Sequence, residues 1–345
     1  MEPEVTCEGV RDIAALGAEW RALEAEADSL SFFQSWTWVG CLAEERFPEP
    51  LVVRAHRSGR LVGLALFNRR GRRLYLTESG DRVLDAPFVE HNAPVLSRHA
   101  GPDALGAMMR AVWKVAGRLV LSGVPGRVAA EAGGIALRRL ERLAPFVDLD
   151  AVRRMGRAYL DTLSGNARYQ IRRSLRRYEA RGEVVLSRAE DESQAIGWFE
   201  ELVALHSRAW QARGEPGAFG EPFIRRFHEA LIKRALPRGE VDLLRITAGA
   251  SVIGLLYNFR LGGWVHAYQS GFDLSEGTPH AKPGLVSHCL AIERGVRNGE
   301  RCYDFLGGDA QYKRTLASCS RGLHWLDLVS RWSVLGLLRR VTTRA

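Results

Sequence analysis

Cysteine is scarce in this chain, and the spacing of the cysteines excludes the sites that they usually build. The five cysteines are odd in number and far apart, and no two of them form a Cys-x-x-Cys pair. We therefore expect neither a zinc site nor a dithiol redox site, and no metal. Unpaired cysteines of this kind are typical of proteins in a reducing cytoplasm.

Long apolar runs are also missing. No stretch reaches the roughly 18 apolar residues that a membrane-spanning helix requires. Residues 1–10 have neither a basic start nor an apolar core, so we expect no signal peptide. The sequence predicts a cytoplasmic protein and leaves contact with the inner face of the membrane open.

The chain does contain an excess of positive charge. Its 345 residues include 49 Lys and Arg against 40 Asp and Glu, a net charge of +9. With 46% hydrophobic residues it resembles an ordinary globular protein, long enough for two domains. The charge indicates anionic partners, namely phosphorylated substrates, nucleic acid or a membrane surface, without choosing among them.

The two halves of the chain repeat one order of elements. A hairpin at residues 54–64 (RAHRSGRLVGL) has a counterpart at residues 245–255 (RITAGASVIGL), and the turn residues coincide. A third strand, a helix and another strand follow each hairpin. This order predicts a duplicated α/β domain, with halves at residues 1–150 and 151–331 and a tail at 332–345.

The second half is organised around one stretch, residues 278–313. Pro283 and Gly284 begin an amphipathic helix that Asn298-Gly299 ends. A short apolar strand follows at Cys302–Leu306, then a turn at residues 307–309. The start of this helix, beside His280 and Lys282, is a predicted phosphate-binding site, because the first backbone N–H groups of a helix have no partner within the helix.

Between the halves lies a helix rich in arginine, which Ser164 is expected to cap. Two interpretations stay open. The arginines form a solvated face, or they bind an anion such as a nucleotide-sugar phosphate, a lipid pyrophosphate, a membrane or a tRNA. The arginines of this helix are Arg168, Arg172, Arg173, Arg176, Arg177 and Arg181.

These residues resemble a known family. The Pro283-Gly284-Leu285 helix start, the strand at Tyr303-Asp304-Phe305, and Gly307-Gly308-Asp309 followed by Tyr312-Lys313 are similar to the FemAB-like branch of the GNAT acyltransferases. Within that branch the chain resembles the acetyltransferase family associated with cellulose and exopolysaccharide biosynthesis. The resemblance implies two tandem GNAT-like domains, of which the first is degenerate, with mixed sheets flanked by helices. It also implies an acyl-CoA donor, acetyl-CoA or another acyl-CoA, and an amine acceptor.

The resemblance also implies where the donor lies. Two parallel strands, Trp264–Ser270 and Cys302–Leu306, are expected to splay and admit the pantetheine arm. The glycine-rich pyrophosphate loop usual in the superfamily is absent, and Fem-type enzymes of similar fold use aminoacyl-tRNA instead. The expected donor-binding residues are His280, Lys282, Gly284, Leu285 and Val286.

Acyl transfer to an amine requires a base, a donor to the thioester oxygen and an acid for the leaving thiolate. Asp304 is the candidate base or amine orienter, Tyr312 the acid and Lys313 the oxyanion donor. Each also has a structural interpretation, since Asp304 can cap a turn, Tyr312 can pack in the core and Lys313 can be solvated. The candidate acceptor-binding residues are Tyr268, Gln269, Asp309, Arg172 and Arg176.

Three functions follow. The first is an N-acyltransferase that acts on a small-molecule or lipid-linked amine, such as an amino-sugar precursor of a surface polysaccharide. The second is a Fem-like, aminoacyl-tRNA-dependent transferase. The third is a non-catalytic binding module of a polysaccharide synthesis complex. The apolar tail at residues 332–341 either contacts a membrane surface or docks on its own domain.

Overall fold

The computed structural model describes residues 2–81, 83–85, 89–215, 217–275, 277–278 and 280–333. The chain divides into two compact units. The first consists of the described parts of Met1–Arg142 and Gly322–Ala345, and the second is Leu143–Arg321. The boundary expected at residue 150 therefore lies just inside the second unit. Pro279 and most of the tail, residues 334–345, lie outside the described residues.

The first unit begins with a strand, two helices and a hairpin. Asp12 and Ser35 cap the two helices by accepting the N–H groups of Ala15 and Trp38. In chain order the elements are β1 (Glu4–Gly9), α1 (Ile13–Glu24), α2 (Trp36–Arg46), β2 (Pro50–Arg57), β3 (Arg60–Arg70), β4 (Arg73–Leu76), β5 (Val95–Leu96), α3 (Ala104–Val115), β6 (Arg118–Pro125), α4 (Gly126–Glu131) and β7 (Ile135–Asp148).

The second unit repeats this order after three additional helices. Ser164 caps the arginine-rich helix by accepting the N–H of Ala167, as predicted. In chain order the elements are α5 (Leu149–Arg154), α6 (Tyr159–Thr162), α7 (Gly165–Glu179), β8 (Val184–Arg188), α8 (Glu192–Gln211), α9 (Pro222–Ala235), β9 (Val241–Ala248), β10 (Ser251–Leu261), β11 (Trp264–Phe272), α10 (Pro283–Arg297), β12 (Cys302–Asp304), α11 (Gln311–Leu316) and β13 (Cys319–Val329).

Each unit contains a mixed sheet whose hairpins are antiparallel and whose central strands are parallel. The strand order is β1-β2-β3-β4-β6-β13 in the first unit and β7-β12-β11-β10-β9-β8 in the second. The parallel pairs are β4 with β6 and β11 with β12. β7 begins in the first unit and ends in the second, and most of β13 lies in the first unit, so each sheet includes a strand from the other half of the sequence.

The duplication predicted from the hairpins extends to their geometry. Both hairpins contain a register shift, between Ala55 and His56 in β2 and between Val252 and Gly254 in β10. In both units three residue pairs join the parallel strands. One long helix lies between the two strands in sequence, α3 between β4 and β6 and α10 between β11 and β12. The mixed α/β fold expected from the sequence is therefore confirmed.

The helix α10 packs its apolar stripe on one face of the second sheet. Leu285, Cys289 and Ile292 are buried there with Val265 and Tyr303. Residues that pair across a ladder point to the same face, so Val265 and Tyr303 lie on the α10 face. His266 and Asp304, the next pair, lie on the opposite face.

Candidate functional site

The parallel strands β11 and β12 separate after a short ladder. Their last residue pair is His266 with Asp304, yet β11 continues to Phe272. In the pairing of β11 with β10, Tyr257 is opposite Gln269 and Asn258 is opposite Ala267, which makes Tyr268 a bulged residue. Because a bulge bends its strand, β11 turns away from β12 directly after their last pair. We call the place beyond this last pair, where the pairing of β11 with β12 ends, the opening.

A tight elbow ends β12 two residues earlier than the sequence suggested. The strand stops at Asp304 because Leu306 adopts a left-handed conformation with φ 61°. Asp304 Oδ1 accepts the N–H of Leu306 at 2.7 Å, and the Lys313 ammonium donates to the carbonyls of Leu306 and Gly307 at 3.1 and 2.8 Å. Asp304 and Lys313 therefore fix the elbow from both sides.

The helix α10 begins beside this opening, with Lys282 at its N-cap and Pro283 in the first position. The N-cap side chain makes no capping hydrogen bond. Ser174 of α7 fixes the approach, because its hydroxyl donates to the carbonyl of His280 at 3.0 Å and accepts the N–H of Lys282 at 3.2 Å. Ser174 was not among the residues predicted from the sequence. The only sign of its role there is its position on the buried side of the arginine-rich helix.

The donor-binding residues predicted around the start of α10 have different environments in the structure. Lys282 and Leu285 line a cavity of about 530 Å³ together with Tyr312, Asn166 and Gln170. The Gly284 Cα faces the ring of Phe272, where an added Cβ would lie 3.2 Å from Cε2. Val286 is fully buried and donates its N–H to Lys282 O at 3.1 Å, and His280 is exposed.

Beneath the opening lies a buried polar and aromatic group. His288 Nδ1 lies 2.9 Å from the Tyr303 hydroxyl, and the His288 ring stacks on Tyr312. Burial, and then the charge of Lys313, lower the pKa of His288 to about 3, so it is neutral at neutral pH. Burial raises the pKa of Tyr312 to about 12, so its hydroxyl keeps its proton. His288 and Tyr312 are therefore both uncharged at neutral pH.

On the opposite face, Asp304 lies under an arginine. Asp304 is fully buried, and its Oδ2 is 3.8 Å from Nε of Arg321. The Arg321 guanidinium lies over the rings of Phe146 and Trp264, 4.2 Å from each centroid. Asp304 and Tyr312 are therefore on different faces of the sheet, with the opening between them.

The predicted acceptor residues Tyr268 and Gln269 form the bulged part of β11. Tyr268 is buried against Phe259, with ring centroids 4.6 Å apart, and against His228. Gln269 is half-buried and pairs with Tyr257. Both residues therefore adjoin the opening, and Tyr268 does so as part of an aromatic core.

The other predicted acceptor residues lie at the surface. Asp309 precedes the N-cap of α11, which is Ala310, and pairs with Arg314. Arg172 and Arg176 are exposed on α7, and Arg172 donates to Asp161 at 2.7 Å. The structure does not bring these three side chains together with Asp304, which is buried beneath Arg321.

Among the described residues of the first unit, one asparagine joins the two parallel strands. The backbone N–H of Asn92 donates to Gly123 O and its side chain donates to Leu76 O, both at 3.0 Å. Leu76 ends β4 and Gly123 lies in β6, so Asn92 bridges the two strands where they would part. The described β3–β4 ladder shows no register shift.

Comparison with known proteins agrees with this geometry. Residues 165–314 match the family model described as an acetyltransferase (GNAT) domain. The match lies within the second unit, and it supports the resemblance at the level of a GNAT-type acetyltransferase domain. No curated protein resembles the chain closely enough in sequence to count as a relative.

Several solved structures share the fold over nearly the whole chain. FemX superposes with a TM-score of 0.61 at 10% identity, covering 96% of this chain and 99% of its own. The C-terminal domain of a putative lysylphosphatidylglycerol synthetase from Agrobacterium fabrum gives 0.57 at 13% identity, covering 96% and 97%. L-PGS from Bacillus licheniformis gives 0.56 at 13% identity, covering 94% and 96%. At such identities the likeness establishes the fold alone, and it confirms the predicted fold class of two GNAT-like halves.

Proposed function

We propose that the second unit transfers an acyl group, acetyl in the simplest case, from acyl-CoA to a primary amine. The opening between β11 and β12 is the observation that carries this proposal. It begins after the His266–Asp304 pair, at the bulge of Tyr268, and the start of α10 lies beside it. The matched GNAT domain supports acyl transfer as the reaction class.

The donor enters on the α10 face. In this proposal the CoA phosphates bind at the start of α10, where Lys282 supplies positive charge and the helix begins without a side-chain cap. Lys282, Leu285 and Tyr312 line the same cavity of about 530 Å³, so it connects the phosphate end with the proton donor. The pantetheine arm then passes through the opening toward Asp304.

The chemistry is attack of the amine nitrogen on the thioester carbon, with cleavage of the carbon–sulfur bond. We assign Tyr312, which is protonated at neutral pH, as the acid that gives its proton to the leaving thiolate, and the tyrosinate then regains a proton from solvent. Lys313, fixed by two carbonyls, places positive charge near the developing oxyanion. Asp304 orients the amine from the opposite face, and the proton that the amine loses goes to solvent.

The acceptor class is proposed as an amino sugar or a related, small-molecule or lipid-linked precursor of a bacterial surface polysaccharide. It approaches the face where Asp304, Gln269 and Arg321 lie. Peripheral membrane contact would accompany a lipid-linked acceptor. Among the described residues, no helix has both the length and the apolar character to cross a membrane.

The test measures free thiol released from acetyl-CoA with glucosamine and other primary amines. Thiol release that depends on the amine, together with CoA binding by calorimetry, is the expected result. Tyr312→Phe should keep CoA binding and lose turnover. If no acyl-CoA of any chain length binds, the acyltransferase proposal is wrong.

A second candidate, a Fem-like transferase that uses aminoacyl-tRNA, is favoured by the outer face of α7. Arg172, Arg176 and Arg177 are exposed there beside Tyr169, whose side chain is 57% exposed. Basic residues beside an exposed aromatic ring suit a nucleic-acid backbone. Binding of charged tRNA that weakens steeply with salt, and that Arg172→Gln with Arg176→Gln abolishes, would support it. Salt-independent or absent binding would reject it.

A further inference from the structure

Arg321 has an environment that ion pairing alone does not explain. Its guanidinium lies in the notch between Phe146 and Trp264, whose ring centroids are 6.4 Å apart, at 4.2 Å from each. Among the described residues, its buried Nε has no hydrogen-bond acceptor. The side chain as a whole is still 32% exposed. The guanidinium is thus in contact with both rings, and part of the side chain reaches solvent.

The buried Asp304 faces Arg321 without pairing closely with it. The distance from Nε to Oδ2 is 3.8 Å, which is longer than a hydrogen bond. Asp304 instead uses Oδ1 to accept the N–H of Leu306. The carboxylate therefore offsets part of the arginine charge and leaves the guanidinium donors to another acceptor.

The position of Arg321 adjoins the reacting centre. Asp304 is the last residue of β12, directly at the opening, and Arg321 covers it on the face opposite α10. A group bound by Arg321 would therefore lie next to the point where the thioester emerges. The anchor is rigid because cation–π contacts with two rings restrict the guanidinium before any ligand arrives.

We propose that Arg321 binds a carboxylate on the acceptor, so that the substrate is an amine that also carries an acid group. This inference rests on the proposed acyltransferase function and names its substrate class. A carboxylate fits better than a phosphate dianion, because Asp304 offsets part of the positive charge and a forked guanidinium edge matches a planar anion. An amino-sugar acid is a simple example of this class.

The test compares two amines that differ in the acid group, glucosaminuronic acid and glucosamine, by thiol release from acetyl-CoA. The acid should be used with a kcat/KM roughly 10- to 100-fold higher, as expected for a charged hydrogen-bonded anchor. Arg321→Gln should lower kcat/KM for the acid far more than for glucosamine, and so remove this preference. Arg301→Gln, an exposed arginine of the same unit, should leave the preference unchanged.

Three results would overturn the proposal. These are equal use of both amines by the natural protein, equal loss of both by Arg321→Gln, and better use of glucosamine 6-phosphate than of the acid. Arg321→Lys keeps the charge and loses the fork, so it should fold normally and show a reduced preference.

A binding measurement separates this proposal from the acyltransferase assignment. Calorimetry with glucosaminuronic acid in the absence of CoA should show binding that Arg321→Gln abolishes and that glucosamine does not reproduce. If no amine releases thiol but this binding is found, the acyl donor is wrong and the carboxylate site is correct. If thiol is released and the acid binds no better than glucosamine, the carboxylate site is wrong.

Discussion

The imidazole of His288 lies flat against the phenol of Tyr312, with ring centroids 5.3 Å apart and an angle of 10° between the planes. His288 Nδ1 lies 2.9 Å from the Tyr303 hydroxyl, which fixes the imidazole ring. Tyr303 belongs to β12 and Tyr312 to α11, so His288 connects the two elements on either side of the elbow. Tyr312 is therefore fixed in place beneath the opening.

Tyr312→Phe tests the role of the hydroxyl. The ring still stacks on His288, so the fold and the donor KM should be retained. Turnover should fall roughly 100-fold, because a positioned acid typically contributes a factor of that order. Since the pKa of Tyr312 is raised to about 12, ionisation of this residue should cause no loss of activity up to pH 10.

Steady-state kinetics with acetyl-CoA and an amine check this prediction. Lys114→Met, a substitution in α3 of the first unit, serves as a control and should leave kcat unchanged. Unchanged kcat in Tyr312→Phe would mean that another group, or water, protonates the thiolate.

Ser174→Ala should weaken donor binding. The substitution removes the hydroxyl that joins His280 O and the N–H of Lys282, so the approach to α10 loses its attachment to α7. We expect a loss of about 1–3 kcal/mol in the free energy of unfolding from the unpaired groups, and a raised KM for acyl-CoA.

Asp191→Ala is a matched control for Ser174→Ala, since it removes a helix cap at α8 in the same unit. It should cost about 1 kcal/mol of stability without changing the donor KM. Equal KM values in the two variants, measured by kinetics alongside urea unfolding, would contradict a role for Ser174 at the donor site.

Most of the fold could be predicted because its signals are local. Ser35 and Ser164 are helix caps that a sequence shows directly, and the hairpin turns of both halves have characteristic residues. The predicted end of β12 was wrong by two residues, because the amino-acid sequence does not indicate that Leu306 adopts a left-handed conformation. A positive φ at a leucine depends on Asp304 and Lys313, which stabilise the elbow through contacts with Leu306.

The site was less predictable because it depends on contacts between distant segments. Lys282, Leu285 and Tyr312 share a cavity, and all three were named from the sequence. Ser174 and Arg321 were not, since each acts through residues about a hundred positions or more away, at His280 and at Phe146. Such pairs require the fold, and no local pattern identifies them.

His288 should make the protein sensitive to acid. Burial lowers its pKa from 6.5 to about 3, so between these values the unfolded chain binds a proton that the folded chain does not. The free energy of unfolding should therefore fall as pH is lowered from about 6.5 toward 3. His288→Phe should be less stable at pH 7 because Tyr303 loses a partner, but its stability should fall less steeply with acidification.

Urea unfolding at pH 7, 6, 5 and 4 measures this slope. His99→Phe replaces an exposed histidine and should leave the slope as it is in the natural protein. An equally steep decline in His288→Phe would show that other groups cause the acid sensitivity.

Glu78 in the first unit should have the opposite pH dependence. Burial, and then the charge of Asp85, raise the pKa of Glu78 from 4.5 to about 8, so the folded chain keeps a proton that the unfolded chain releases. The free energy of unfolding should then fall as pH rises from about 4.5 to 8. Glu78→Gln keeps an oxygen to accept the Ser122 hydroxyl, which now donates to Glu78 Oε2 at 2.7 Å. The variant should match the natural protein at pH 5 and melt at a higher temperature at pH 8.

Glu45→Gln, at an exposed position, is the control and should show no such difference from the natural protein. Equal melting temperatures of the natural protein and Glu78→Gln at pH 8 would mean that Glu78 is ionised in the folded state.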